Sequence, residues 1–187
     1  MAPIRIDACQ DPGNHFGLLC RYAKAVPAPA SPIFSRRTTM SYRRILIATD
    51  GSDLSAKAVE HGLSLARLSG GRVVALKVVP RYPRSYFEGG SPVDAAEARR
   101  IESQWATNAQ ALVDGIRQLG DAQGVKVKPV VTKSDLVAEA IIAAATKHDC
   151  DLIVMASHGR KGIKRLLLGS ETQHVLTHSK VPVLVLR

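Results

Sequence analysis

From Ile45 to its last residue the chain alternates short, β-branched apolar runs with longer stretches of helical period, and this alternation constrains the fold more than any other feature. Neighbouring parallel strands need a crossover of about a dozen residues or more, usually a helix, and strands covered on both faces read as continuous apolar runs. Five such runs are present: Ile45 to Thr49, Arg72 to Val79, Lys126 to Thr132, Leu152 to Ala156 and Val181 to Leu186. Helical patterns occupy Leu54 to Ser69, Asp94 to Leu119, Asp135 to Thr146 and Ser170 to His178. The expectation is an α/β fold: a five-stranded parallel sheet with helices on both faces.

Punctuation agrees with the pattern. Ser52 or Asp53 can cap the first helix, and Gly70-Gly71 can end it. In the second helix Ile101, Trp105, Ala109, Leu112 and Ile116 recur every three or four residues, the spacing of a core stripe. Residues 1–39 have no sustained period and carry Pro3, Pro12, Pro27, Pro29 and Pro32. Such a segment buries too little surface to offset its ordering entropy, so it is expected to be disordered, with the folded domain spanning residues 40–187. Met40, just ahead of the first strand, is a candidate start; a targeting arm is the rival reading of the extension, favoured by Arg36 and Arg37 and opposed by Asp7 and Asp11.

Composition narrows the function classes. No stretch reaches the about 18 consecutive apolar residues of a membrane span, so a soluble cytoplasmic protein is expected. Cys9, Cys20 and Cys150 are widely spaced and form no Cys-x-x-Cys pair, which argues against a disulfide framework or zinc site; Cys150 reads as a small buried hydrophobe. The formal charge of +10 favours polyanionic partners, but with aromatics at only 4% the interleaved stacking residues of single-strand binders are missing. Nucleic acid is therefore not the expected partner.

Open parallel sheets bind ligands beyond the carboxyl ends of their strands, which directs attention to the loops after the first and fourth. The fourth is followed by Ala156-Ser157-His158-Gly159, a basic stretch with Arg160, Lys161, Lys164 and Arg165, and Gly169-Ser170 at the start of the last helix. Glycines allow close approach to phosphate oxygens or a positive φ, and a helix N-terminus favours an anion. A phosphate there would meet amides, the Ser170 hydroxyl and Thr172. Two plainer readings stand beside this one: Ser170 with Gln173 matches a capping box, and the basic run matches a solvated face.

The segment from Met40 onward resembles the universal stress proteins. The resemblance is carried by Arg44-Ile-Leu-Ile-Ala-Thr-Asp-Gly-Ser52, Leu152-Ile-Val-Met-Ala-Ser-His-Gly159, Leu166-Leu-Leu-Gly-Ser170 and Val181-Pro-Val-Leu-Val185. It implies a Rossmann-like fold of the adenine nucleotide alpha hydrolase kind. The family's nucleotide binders carry Gly, two residues, Gly, nine residues, then Gly and Ser or Thr. Gly159 and Gly169-Ser170 match, whereas Ala156 replaces the first glycine and Gly162 lies too close to Gly169 to take its place. Where that position needs positive φ or tight approach, the added Cβ costs on the order of 1 kcal/mol.

Carried over by position, the resemblance implies a pocket of Ala48, Asp50, Val78, Ala156, Gly159, Gly169, Ser170 and Thr172. Its implied ligand is ATP, accompanied by Mg²⁺, or another adenine nucleotide. It also implies a homodimer through the last strand. Asp50 has an equally good role as a cap before Leu54. Hydrolysis is not expected beyond a very slow rate. There is no Gly-x-x-x-x-Gly-Lys-Ser/Thr and no Gly-x-Ser-x-Gly, the Ser-Gly-Gly-x-Asp-Ser loop of ATP pyrophosphatases is missing after the first strand, and Ser157 and His158 should point apart on an extended segment. His158 reads as loop packing. The alternative is a dimeric interaction protein that keeps the fold without the nucleotide, with Ala156 as its support.

Overall fold

Each expected apolar run becomes a strand of one parallel sheet. The computed structural model describes residues 42–81, 95–159 and 168–187. By chain contacts the protein divides into two units, Met1–Thr39 and Met40–Arg187. The expected disorder of residues 1–39 and the role of the basic run Arg160 to Arg165 lie outside the described residues. Within the second unit the strands are β1 (Arg44–Ala48), β2 (Arg72–Val79), β3 (Val127–Lys133), β4 (Leu152–Ala156) and β5 (Val183–Leu186). The helices between them are α1 (Asp53–Ser69), α2 (Ala95–Ala122), α3 (Val137–Lys147) and α4 (Ser170–His178). The order across the sheet is β3-β2-β1-β4-β5, every neighbouring pair parallel.

That order makes β1 and β4 central and explains their unbroken apolar character. Ile45, Leu46 and Ile47 are each 0% exposed, so successive side chains enter cores on opposite faces. Ile45 and Ile47 meet Val59, Leu63, Val113 and Ile116 of α1 and α2; Leu46 and Ala48 meet Ala138, Ile141 and Val175 of α3 and α4. Complete burial of a side chain of this size stabilises by roughly 1.5–3 kcal/mol. Asp151, just before β4, accepts from the amides of Arg43 (2.7 Å) and Arg44 (3.1 Å), tying together the starts of the two central strands.

Element ends depart from expectation in small, explicable ways. Pro182 has no N–H, and β5 begins one residue later, although the Pro182 carbonyl still accepts from Ile153 (3.0 Å). Helix α2 continues to Ala122 and puts Val113, rather than Leu112, fully into the core. Ser52 caps α1, accepting from Ser55 N–H at 3.3 Å, and Gly70 ends the helix at φ 64°. Cys150 is buried as expected, and burial pushes its thiol up to about 11. Among the described residues no helix is long and apolar enough to cross a membrane.

Candidate functional site

The carboxyl ends of β1, β2 and β4 open into a cavity of about 210 Å³. Its wall is apolar on the side of α3: Leu76, Val78, Val137, Ile141 and Met155 converge there with Ala48. Its mouth is polar, bounded by Asp50, Lys77, His158, Gly159, Glu171 and Thr172. An apolar slot with a few converging polar groups is the usual form of a small-molecule site.

The turn after β1 is shaped by hydrogen bonds. Gly51 takes φ 82°, a conformation open to glycine, and its amide reaches both Thr49 Oγ1 (3.2 Å) and Ser55 Oγ (3.1 Å). Those buried hydroxyls lie 2.9 Å apart. Asp50 does not itself cap α1. Its Oδ1 accepts from Ser52 N–H (3.0 Å) and Ser52 Oγ–H (2.7 Å), so it braces the residue that does. A Cβ built on Gly159 would come within 2.7 Å of Asp50 Oδ2, so the carboxylate approaches the backbone at the mouth and the hydrogen of Gly159 makes that approach possible. From β2, Lys77 Nζ donates to the Asp50 carbonyl at 2.8 Å and brings an ammonium to the same end of the cavity.

Helix α4 closes the other side. Gly169, not Ser170, is its N-cap, with φ −62° and ψ 147° and no side-chain cap, so the capping-box reading of Ser170 does not hold. Nor do the motif glycines serve by positive φ, since neither Gly159 nor Gly169 lies in the left-handed region. Gly169 matters through closeness: its amide donates to Ser157 O at 2.8 Å, and a Cβ there would lie 3.3 Å from that oxygen. Thr172 is buried and its hydroxyl donates to Ala156 O at 3.0 Å, fastening α4 to β4. Glu171 Oε2 accepts from the Ala138 amide at 2.8 Å. It thereby satisfies the first turn of α3, whose own N-cap position, Leu136, offers no side-chain cap.

Of the eight residues expected around the ligand, Ala48, Asp50, Val78, Ala156, Gly159 and Thr172 line the cavity, while Gly169 and Ser170 do not. Ala156 is strand backbone at the end of β4, paired with Leu186, and not at positive φ. The methyl therefore adds no backbone strain at this position. Ser157 and His158 do not point apart: Ser157 Oγ lies 3.1 Å from His158 Nδ1, because the chain leaves the strand at Ala156 and bends. Sequence reasoning missed Lys77 and Glu171. A cation inside the apolar run of β2 was a signal for the first; the second had none, because Ser134 and Asp135 stand before α3 as cap candidates and only the fold puts Leu136 at its N-cap. Among the described residues no cluster of three or more metal-ligating side chains is present.

The comparisons with known proteins agree with this architecture. The Universal stress protein family matches residues 41–187. The chain belongs to that family. Universal stress protein MJ0531 of Methanocaldococcus jannaschii is 32% identical over 146 residues, covering 78% of this chain and 82% of the relative. The solved structure of MJ0577, from the same organism, shares 27% identity with a TM-score of 0.66, covering 78% of this universal stress protein and 96% of that chain. A universal stress protein solved in complex with cAMP shares the fold at 24% identity and a TM-score of 0.58, over 79% and 98% of the two chains.

Proposed function

We propose that this universal stress protein binds an adenine nucleotide as a regulatory ligand, with the base and ribose in the cavity beyond β1, β2 and β4. The observation that carries the reading is the junction of an apolar slot, ending at Val78 and Met155, with a polar mouth at Asp50, Lys77 and Gly159. The volume of about 210 Å³ falls below the roughly 300–1,000 Å³ of sites that enclose whole drug-sized ligands. The phosphates would then extend past Gly159 toward Gly169 and Ser170, where the N-terminus of α4 presents amides and the positive end of its dipole. The relative solved with cAMP supports an adenine nucleotide on this fold.

ATP is the ligand proposed. Mg²⁺ would enter with its phosphates, and of the two carboxylates of the mouth Asp50 is the one proposed to assist, Glu171 being engaged with the Ala138 amide. Ser157 Oγ and His158 Nδ1 are in contact, but no carboxylate hydrogen bond orienting the imidazole is seen among the described residues, so the pair falls short of an activated nucleophile. The protein is accordingly proposed to act by binding, with hydrolysis very slow at most. Strand β5 lies at the sheet edge with Leu184 39% exposed, which supports a homodimer joined through this edge, and a cytoplasmic location is proposed with it.

Calorimetry with ATP, AMP and adenosine, with and without Mg²⁺, tests the reading. Heat of binding is expected for all three, and no heat at millimolar nucleotide refutes it. A second reading, an interaction protein without nucleotide, is favoured by the Ala156 methyl in the cavity lining. It prevails if Ala156→Gly creates binding that the natural protein lacks.

A further inference from the structure

We propose that the cleft between α1 and α2 is a second binding site, for a small amphipathic cation with an apolar body and one positively charged head. The two helices rest on the same sheet face but over different strands, α1 against β1 and β4, α2 against β2 and β3. Between them lies a cleft of about 790 Å³, within the range of ligand sites. Two apolar stripes face each other across it: Ala56, Val59 and Leu63 on α1, and Leu112, Ile116 and Leu119 on α2. Their spacings of three and four residues are those of helix faces that ordinarily meet a partner. Val59, Leu63 and Ile116 meet the sheet core and form the buried floor of the cleft, whereas Leu119 at its rim is 53% exposed.

Gly115 keeps the α2 side of the cleft open. It sits inside α2, where glycine costs about 0.8–1.0 kcal/mol relative to alanine, and a Cβ built on it meets nothing within 4 Å. The position lines the cleft and leaves it open. Charge selects the occupant. The chain carries a formal +10, yet the charged residues of this lining are both acidic, Asp53 and Glu60, with no Lys or Arg among them. Neither carboxylate enters an ion pair among the described residues. Thr49 and Ser55 form the polar end of the cleft and separate it from the cavity beyond the strands, which they also line.

The probe is octylammonium, with octanoate as its charge-reversed counterpart, each titrated into the full-length protein and read by backbone amide NMR shifts. Octylammonium is expected to shift amides in Ala56 to Leu63 and Ala111 to Leu119, with octanoate about tenfold weaker, the size set by two exposed charge contacts. Gly115→Leu should fill the hollow and weaken octylammonium about tenfold without lowering the melting temperature. The double variant Asp53→Asn, Glu60→Gln should keep the shifts and lose the preference for the ammonium. Shifts located elsewhere, equal affinity for both probes, or unchanged binding by a folded Gly115→Leu protein would each overturn the proposal. Should Gly115→Leu fail to fold, the two probes and the double variant still decide it.

Discussion

Replacing Gly159 with alanine tests how the mouth of the cavity is held. The new Cβ would stand 2.7 Å from Asp50 Oδ2 and 3.5 Å from its Cγ, so the carboxylate must retreat by several tenths of an ångström. It cannot do so freely. Its other oxygen accepts from the amide and hydroxyl of Ser52 at 3.0 and 2.7 Å, and Ser52 is the cap of α1. A hydrogen bond to a charged group contributes about 1.5–3 kcal/mol, and loss of one, cushioned by solvent at the open mouth, costs about 1.5 kcal/mol. For a domain of this size that corresponds to a fall in melting temperature of about 3–6 °C, followed by circular dichroism. Nucleotide affinity should fall with it, because the substitution disturbs both the acidic group and the approach to the phosphates. Asp50→Asn, which keeps the shape of the side chain, should make the melting penalty of Gly159→Ala smaller. A melting temperature within about 1 °C of the natural protein would show that Asp50 yields without cost and refute the claim that Gly159 is selected for closeness.

Glu171→Ala removes the acceptor of the Ala138 amide and should destabilise by about 0.5–2 kcal/mol in urea unfolding, as loss of a helix cap does, with Glu171→Gln recovering part of it. Cys150, its thiol pushed up to about 11 by burial and by Asp151, should resist alkylation at neutral pH in the folded protein and react only on unfolding. His148 has its pKa lowered, first by burial and then by Lys128 and Lys147. The fold therefore holds fewer protons there than the unfolded chain does. Its contribution is complete above 6.5 and lost as pH falls below that value. His148→Gln should flatten that part of the stability profile, and an unchanged acid limb would refute the assignment.

How far the sequence disclosed the molecule depends on whether one element alone fixed the answer. The central strands were legible because burial on both faces demands unbroken apolar runs, and Ile45 to Ile47 meet that demand without help from elsewhere. Helix α2 was legible as a helix but not in its facing. Leu112 and Val113 are both apolar and about 100° apart around the axis, so only the sheet beneath decides that Val113 enters the core and Leu112 turns to the cleft. The same limit governs the candidate site. Asp50 and Gly159 could be named from the motif, yet their mutual approach arises only when β1 and β4 lie side by side, joined in register from Ile45 to Leu152. Glu171 is plainer still: its partner amide lies 33 residues earlier, on a helix that supplies no side-chain cap at Leu136. Ser134 and Asp135 stand before α3 as ready acceptors in the sequence, so neither the vacancy at its N-cap nor the residue that fills it could be read before the fold. Thr172 obeys the same rule, because its hydroxyl is committed to Ala156 O before any ligand arrives. Thr172→Val should therefore destabilise the apo protein by about 1–3 kcal/mol, the cost of an unsatisfied buried carbonyl, and an apo protein of unchanged stability would return the hydroxyl to the ligand.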